Sequence, residues 1–145
     1  MLFLSLYKMV YWVGGYALFA FLLTFVREII KDIEDFEGDT VYGRNTIPVH
    51  FGIKASKIIA SSLLMITLIV LIFLFAGYIR FLPSGKFDYY TFIYLILFIL
   101  IPIFVLFVML LLAQNKADYH KASRLNKFIM LFGLLYTFIF RWLIL

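Results

Sequence analysis

The sequence predicts an all-α, multi-pass transmembrane helical bundle of about four spans, forming one membrane domain over residues 1–145. Three observations predict it. Apolar residues make up 66% of the chain and charged residues only 14%, against about 45–50% and about 25% in an ordinary soluble domain. At a mean hydropathy of +1.07, the chain lacks the polar surface to cover a soluble core and is far too apolar for a disordered segment. The apolar residues also fall in continuous runs, unlike the alternation of an outer-membrane barrel. Only helices and closed barrels satisfy the backbone inside a bilayer, so continuous runs mean helices.

A span needs about 20 mostly apolar residues to cross ~30 Å of hydrocarbon. Residues 2–26 form the first, with Lys8 as its single charge. This start has no basic leading region and no small-residue cleavage site, so it reads as a retained span and not a signal peptide. Residues 58–79 form the second, uncharged. Residues 89–113 form the third, also uncharged, with Pro102 expected to kink it. Residues 128–145 form the fourth, whose Arg141 lies near enough to the end to snorkel. Gly14, Gly15 and Gly133 are candidate points of close helix approach. The chain contains no cysteine, which excludes disulfides, thiolate nucleophiles and Cys-based metal sites.

The loops between the spans differ in charge. The first and third, residues 27–57 and 114–127, carry nine Lys/Arg together, and the second, residues 80–88, carries two. The positive-inside rule then places the first and third loops in the cytoplasm and both termini outside it. A formal net charge of +5 can signal nucleic-acid binding. Here the bases flank spans, so no nucleic acid is implied as a partner; membrane lipids are. The basic run 116–127 reads as a topology signal or an anionic-lipid contact. His50 and His120, near loop ends, read as surface or interface residues.

Six of the eight acidic residues fall between Glu28 and Asp39. Glu28, Asp32, Asp35 and Asp39 are spaced by four, three and four. At ~100° per residue they share one face of a helix, with Ile29, Ile30, Ile33 and Phe36 on other faces. Gly38 is the expected end of the regular helix. Like charges so placed repel, by about 1 kcal/mol per close pair in water and more near a membrane, and proteins usually offset such a cluster with cations. With no Cys and no adjacent His, soft metals are disfavoured, and all-carboxylate ligation suits Mg²⁺ or Ca²⁺. Mg²⁺ held by one or two carboxylates completes its shell with water and substrate phosphate. Arg27, Lys31 and Arg44 are placed to contact a phosphorylated substrate. Spacing alone is equally compatible with a solvated acidic loop beside a span. Downstream, Gly43 to Val49 reads as a punctuated turn, with Pro48 discouraging helix before it.

Taken together, the residues REIIKDIEDFEGDTVYGRNTIPVHFG, Arg27 to Gly52, resemble the second aspartate-rich region of the UbiA family of intramembrane prenyltransferases. The D-x-x-D-x-x-x-D element falls on Asp32, Asp35 and Asp39, and G-R-x-T-[IL]-P-V falls on Gly43 through Val49. The flavour is closest to the branch that transfers geranylgeranyl to geranylgeranylglycerol phosphate, although that branch commonly has Lys where this chain has Asn45. The resemblance implies a cofactor, Mg²⁺, gripping the diphosphate of a prenyl diphosphate donor. The allylic C–O bond ionises and a lipid or aromatic acceptor attacks. It implies Asp35 and Asp39 as metal ligands, then Asp32, with Glu28 as a ligand or an orienter of a base. Arg27, Lys31 and Arg44 become the diphosphate contacts. Tyrosines on the spans could stabilise cationic charge through their ring faces.

The family has about nine spans and an earlier N-D-x-x-D-x-x-x-D region. The four spans here resemble the last four, so the expectation is a partial enzyme that works only with a complementing N-terminal half. Three alternatives stand beside the lipid prenyltransferase. One is an aromatic, quinone-precursor prenyltransferase of the same family. Another is a non-catalytic membrane scaffold with an incidental acidic loop. The third, a CDP-alcohol phosphotransferase, needs an upstream D-G-x-x-A-R, and the chain contains no Asp-Gly.

Overall fold

A computed structural model describes the backbone of residues 2–81 and 89–144, and side chains within 10–77 (Trp12 apart) and 89–136. Lys8, Arg80, Lys86 and Arg141, on which part of the charge asymmetry rests, have side chains outside the described residues. Every regular element described is helical. α1 (Leu2–Glu34) is followed by the short α2 (Phe36–Val41), then α3 (Ile47–Phe81). α4 (Tyr89–Leu95), a π-helical turn (Ile96–Leu100) and α5 (Ile101–Leu112) run on as one rod, and α6 (Lys116–Ile144) closes the chain. α1 packs on α3 and α6, and α5 packs on the same two. The four long helices thus form a ring in which sequence neighbours pack together, the arrangement short connections favour in bundles.

Within this ring, Val13–Glu34, Ile47–Gly77 and Tyr89–Leu112 are long and apolar enough to cross a membrane. The fourth expected span falls in α6, which is helical through Ile144. The core is aliphatic: Leu23, Val26 and Ile30 of α1, Leu64 of α3, Ile103, Leu106 and Leu110 of α5 and Ile129 of α6 are fully enclosed. The outside is apolar as well. Phe73 is 72% exposed and Val13 69%, a pattern that water does not tolerate over so large an area and lipid does. The protein is an integral membrane protein built as a multi-pass helical bundle.

Small residues set two of the helix contacts. A Cβ on Gly15 would lie 2.9 Å from Cδ1 of Leu74, and one on Gly133 2.5 Å from Cε1 of Phe19. These glycines let α1 approach α3 and α6. Gly14 faces open space, so it does not share the role expected of the pair. Gly77, which the sequence did not single out, faces the Tyr11 ring in the same way.

The distortion expected at Pro102 is present as the π-helical turn just before it. Proline has no N–H to give the preceding turn and its ring crowds the carbonyl there; a widened turn relieves both. α3 has its own break, at Gly52, with φ of 81°. That angle is accessible to glycine at little cost and strained for other residues. At the far end of the third span, Lys57 donates from Nζ to the carbonyls of Leu111 and Ala113, at 3.1 and 2.8 Å. It thereby satisfies groups that the end of α5 leaves open.

α6 begins on a side-chain cap. Asp118 accepts the N–H groups of Gln114 and Asn115, each at 3.2 Å, half of a capping box. Those two hydrogen bonds hold its carboxyl below the usual carboxylate range. A folded-state pKa below the unfolded one stabilises this turn above the unfolded value. That stability is lost as pH falls through the folded value. Amides at 114–119 are expected to lose hydrogen-exchange protection on acidification. In Asp118→Asn they should be less protected at neutral pH and largely insensitive to acid. A mutant that keeps the wild-type acid step would assign the effect elsewhere.

Candidate functional site

The phase of the acidic stripe is set by packing. Ile29, Ile30 and Ile33 are buried against the bundle, and this turns Glu28, Asp32 and Asp35 away from the core. The helix hardly pauses at Asp35, whose backbone (φ −97°, ψ 8°) only loosens the turn. The N–H of Asp35 reaches the carbonyl of Lys31 and the N–H of Asp39 that of Asp35, both at 3.0 Å. The i→i−4 ladder therefore carries the stripe through to Asp39. Gly38 does not end the helix as expected, because no positive φ is imposed there and α2 runs on to Val41.

The true end is Gly43, with φ of 64°. Arg44 N–H returns to the carbonyl of Asp39 at 2.9 Å, and Gly43 N–H to that of Thr40 at 3.4 Å. This pair of bonds is a Schellman motif, which wants glycine at the left-handed position. It folds Arg44 back over Asp39, so that Nη1 of Arg44 lies 3.6 Å from Oδ1 of Asp39. Asp39 is the most buried acid of the stripe, 5% exposed. The Gly-Arg pair read from the sequence as a turn is thus the device that brings a cation onto the last acid. Pro48 follows, fully enclosed at the start of α3.

The side chains that pair with the cluster come from several elements. Arg27 Nη1 lies 3.2 Å from Oε1 of Glu28, on the same turn. Lys116 Nζ, from the start of α6, lies 3.8 Å from Oδ1 of Asp35. His120 Nδ1 reaches Oε1 of Glu34 at 2.8 Å, and its Nε2 lies 3.1 Å from Nη2 of Arg124. His120 therefore has the interface role expected of it. Lys116, which the sequence presents only as part of a basic topology run, is a neighbour of the site. No local spacing signals a contact between residues so far apart. Lys31 is exposed beside the stripe. Arg27 also lines a groove between α1 and α6, as does Lys127.

Among the described residues no three His, Asp or Glu side chains converge to hold a metal by themselves. The donor set does fit Mg²⁺ in its other mode, with one or two carboxylates and the remaining positions left to water and phosphate. Every donor on the stripe is a hard oxygen. The pairs at Asp35 and Asp39, at 3.8 and 3.6 Å, are longer than charge-assisted hydrogen bonds of about 2.7–2.9 Å. A divalent ion can displace them at little cost.

A family model described as the UbiA prenyltransferase family matches residues 5–144. The digeranylgeranylglyceryl phosphate synthase of Methanosphaera stadtmanae is 36% identical over 115 residues, 78% of this chain and 39% of that protein. The enzyme of the same name from Saccharolobus solfataricus is 37% identical over 99 residues, 68% of this chain and 30% of that protein. That from Pyrococcus horikoshii is 52% identical over 56 residues, 39% of this chain and 20% of that protein. The chain thus spans well under half the length of the curated relatives it matches. No solved structure matches it.

Proposed function

The chain belongs to the UbiA prenyltransferase family, and from that premise we propose that it carries the diphosphate end of a Mg²⁺-dependent lipid prenyltransferase. The relatives named for digeranylgeranylglyceryl phosphate synthesis suggest the substrates: geranylgeranyl diphosphate as donor and geranylgeranylglyceryl phosphate as acceptor. Because the chain covers 39% of the first relative, the activity is assigned to this chain together with a complementing N-terminal half. The observation that carries the proposal is the Arg44 turn over Asp39 at the end of an acidic stripe, beside a membrane span.

Asp35 and Asp39 would hold the ion, with Asp32 next and Glu28 flanking. When bound, Mg²⁺ supplies Lewis-acid neutralisation of the leaving diphosphate. Lys31 and Arg44 contact the donor's phosphates; Arg27 belongs to the same set by sequence, although it also lines the groove between α1 and α6. The donor's allylic C–O bond breaks, and diphosphate departs with the electron pair. An acceptor hydroxyl forms the new C–O ether bond and gives up its proton to diphosphate or water. The apolar bundle keeps water from competing with that hydroxyl. The proposal places the acidic loop on the cytoplasmic side, by the charge of the first and third loops.

The test is transfer by membranes holding this chain with its N-terminal complement. Product from geranylgeranyl diphosphate and geranylgeranylglyceryl phosphate is expected with Mg²⁺, and none after chelation. Chelator-resistant product would remove the metal from the proposal. Transfer to an aromatic acid in place of the glycerolipid would move the chain to the quinone-precursor reading.

A further inference from the structure

Between α1 and α6 runs a groove of about 410 Å³. Its walls are apolar, from Tyr16 and Phe19 on α1 to Leu131 and Leu134 on α6, and only Arg27 and Lys127 bring charge to it. The two helices run in opposite directions, so both cations stand at one end and Tyr16 and Leu134 at the other. Eleven residues separate Arg27 from Tyr16, about 16 Å of helix at ~1.5 Å per residue. That is about half of a ~30 Å hydrocarbon layer. The groove is therefore one leaflet deep, with a cationic mouth and a greasy shaft.

The mouth is short of anions. Arg27 gives Nη1 to Glu28, while its buried Nε has no acceptor among the described residues. Lys127 is exposed, and no ion pair among the described residues includes it. With Arg27 already sharing its charge with Glu28, the mouth keeps a net positive charge centred on Lys127, which suits the head of a phosphate monoester, carrying about −1.5 to −2 near pH 7. The mouth is also close to the acidic stripe. Arg27 adjoins Glu28 and stands five residues from Asp32, about 7.5 Å of helix rise. A lipid head seated there lies within about two helical turns of the residues proposed to hold the donor's diphosphate, on the α6 side of α1.

We propose that the α1–α6 groove seats the acceptor, an isoprenoid glycerolipid with a phosphate monoester head. The phosphate sits between Arg27 and Lys127, and the hydrocarbon chain lies along Phe19 and Leu131. This inference rests on the prenyl-transfer reading above and assigns Arg27 to the acceptor's phosphate, leaving Lys31 and Arg44 to the donor's.

The test is lipid binding by the chain assembled with its N-terminal complement in phosphatidylcholine nanodiscs, with geranylgeranylglyceryl phosphate and, separately, geranylgeranyl diphosphate with Mg²⁺. Lys127→Ala is expected to weaken the first about tenfold, the loss of one charge-assisted contact, and Lys127→Arg to restore it. Leu131→Trp, which fills the shaft and leaves the cations in place, should also weaken it. Diphosphate binding should not change in any of the three. The proposal is overturned if Lys127→Ala leaves the monoester's affinity intact, or if phosphatidylglycerol displaces the monoester on equal terms. It is overturned equally if donor binding falls in step with acceptor binding. Failure of the prenyl-transfer reading looks different, since then neither isoprenoid phosphate binds. If this inference alone fails, the diphosphate still binds.

Discussion

Asp35→Asn combined with Asp39→Asn, in the assembled enzyme, is expected to lower prenyl transfer about 10²–10³-fold, the scale of losing a main electrostatic contact to a charged leaving group. The substitution keeps side-chain shape and removes two charges. Arg44 would lose its partner at 3.6 Å and Lys116 its partner at 3.8 Å. Both cations are exposed and stay hydrated, and Asn at the buried position 39 keeps a polar side chain of the same shape. The exposed Lys116–Asp35 pair contributes only about 0–1 kcal/mol. The fold should survive, helped by relief of repulsion along the stripe. Activity should become indifferent to added Mg²⁺, and the donor's KM should rise. Wild-type rates in the double mutant would sink the assignment of Asp35 and Asp39. A melted bundle would show that the pairs to α6 matter more for assembly than for chemistry.

Gly133→Leu should clearly destabilise the bundle. A Cβ there meets Cε1 of Phe19 at 2.5 Å, and Phe19 is itself enclosed in the core. Overpacking of this kind costs about 1–3 kcal/mol, and leucine adds three more carbons beyond the first clash. Gly14→Leu makes the matching control, because nothing lies within 4 Å of its Cβ position. Thermal melting in one detergent should show a clear drop for Gly133→Leu and little change for Gly14→Leu. Phe19→Ala should partly rescue the first. Equal melting of the two leucine variants would mean that α1 and α6 do not approach at Gly133.

The fold class was legible because it rests on bulk quantities. Long runs without charge can be buried only in lipid, whatever their neighbours are. The face of the acidic stripe was legible too, because 4-3-4 spacing is a local property of a helix, and Ile29, Ile30 and Ile33 lock its phase. The helix end was misjudged for a related reason. Gly38 and Gly43 look alike in sequence, and only the backbone angle, 64° at Gly43, tells a terminator from a tolerated residue. Lys116 and His120 were not legible as neighbours of the cluster. Their contacts to Asp35 and Glu34 depend on how α6 returns beside α1, a tertiary fact that no window along the chain contains. Gly77 escaped notice because its reason for being small is the Tyr11 ring on another helix.

The length of α1 has a consequence of its own. Its 33 residues rise about 50 Å at ~1.5 Å each, while the hydrocarbon of a bilayer is ~30 Å thick. Some of the helix must stand proud of the lipid, and charge decides which part. Sinking Arg27, Glu28, Lys31 and Asp32 would cost about 2.5–3.5 kcal/mol for each buried near the middle of the bilayer, whereas the other end is almost entirely apolar. The surplus therefore emerges at the acidic end, as a post rising through the headgroups. A diphosphate carried on a greasy tail already travels at that height. On the proposed function the post would meet it there, so that the hydrocarbon stays dissolved in the membrane while its charged end is handled in water.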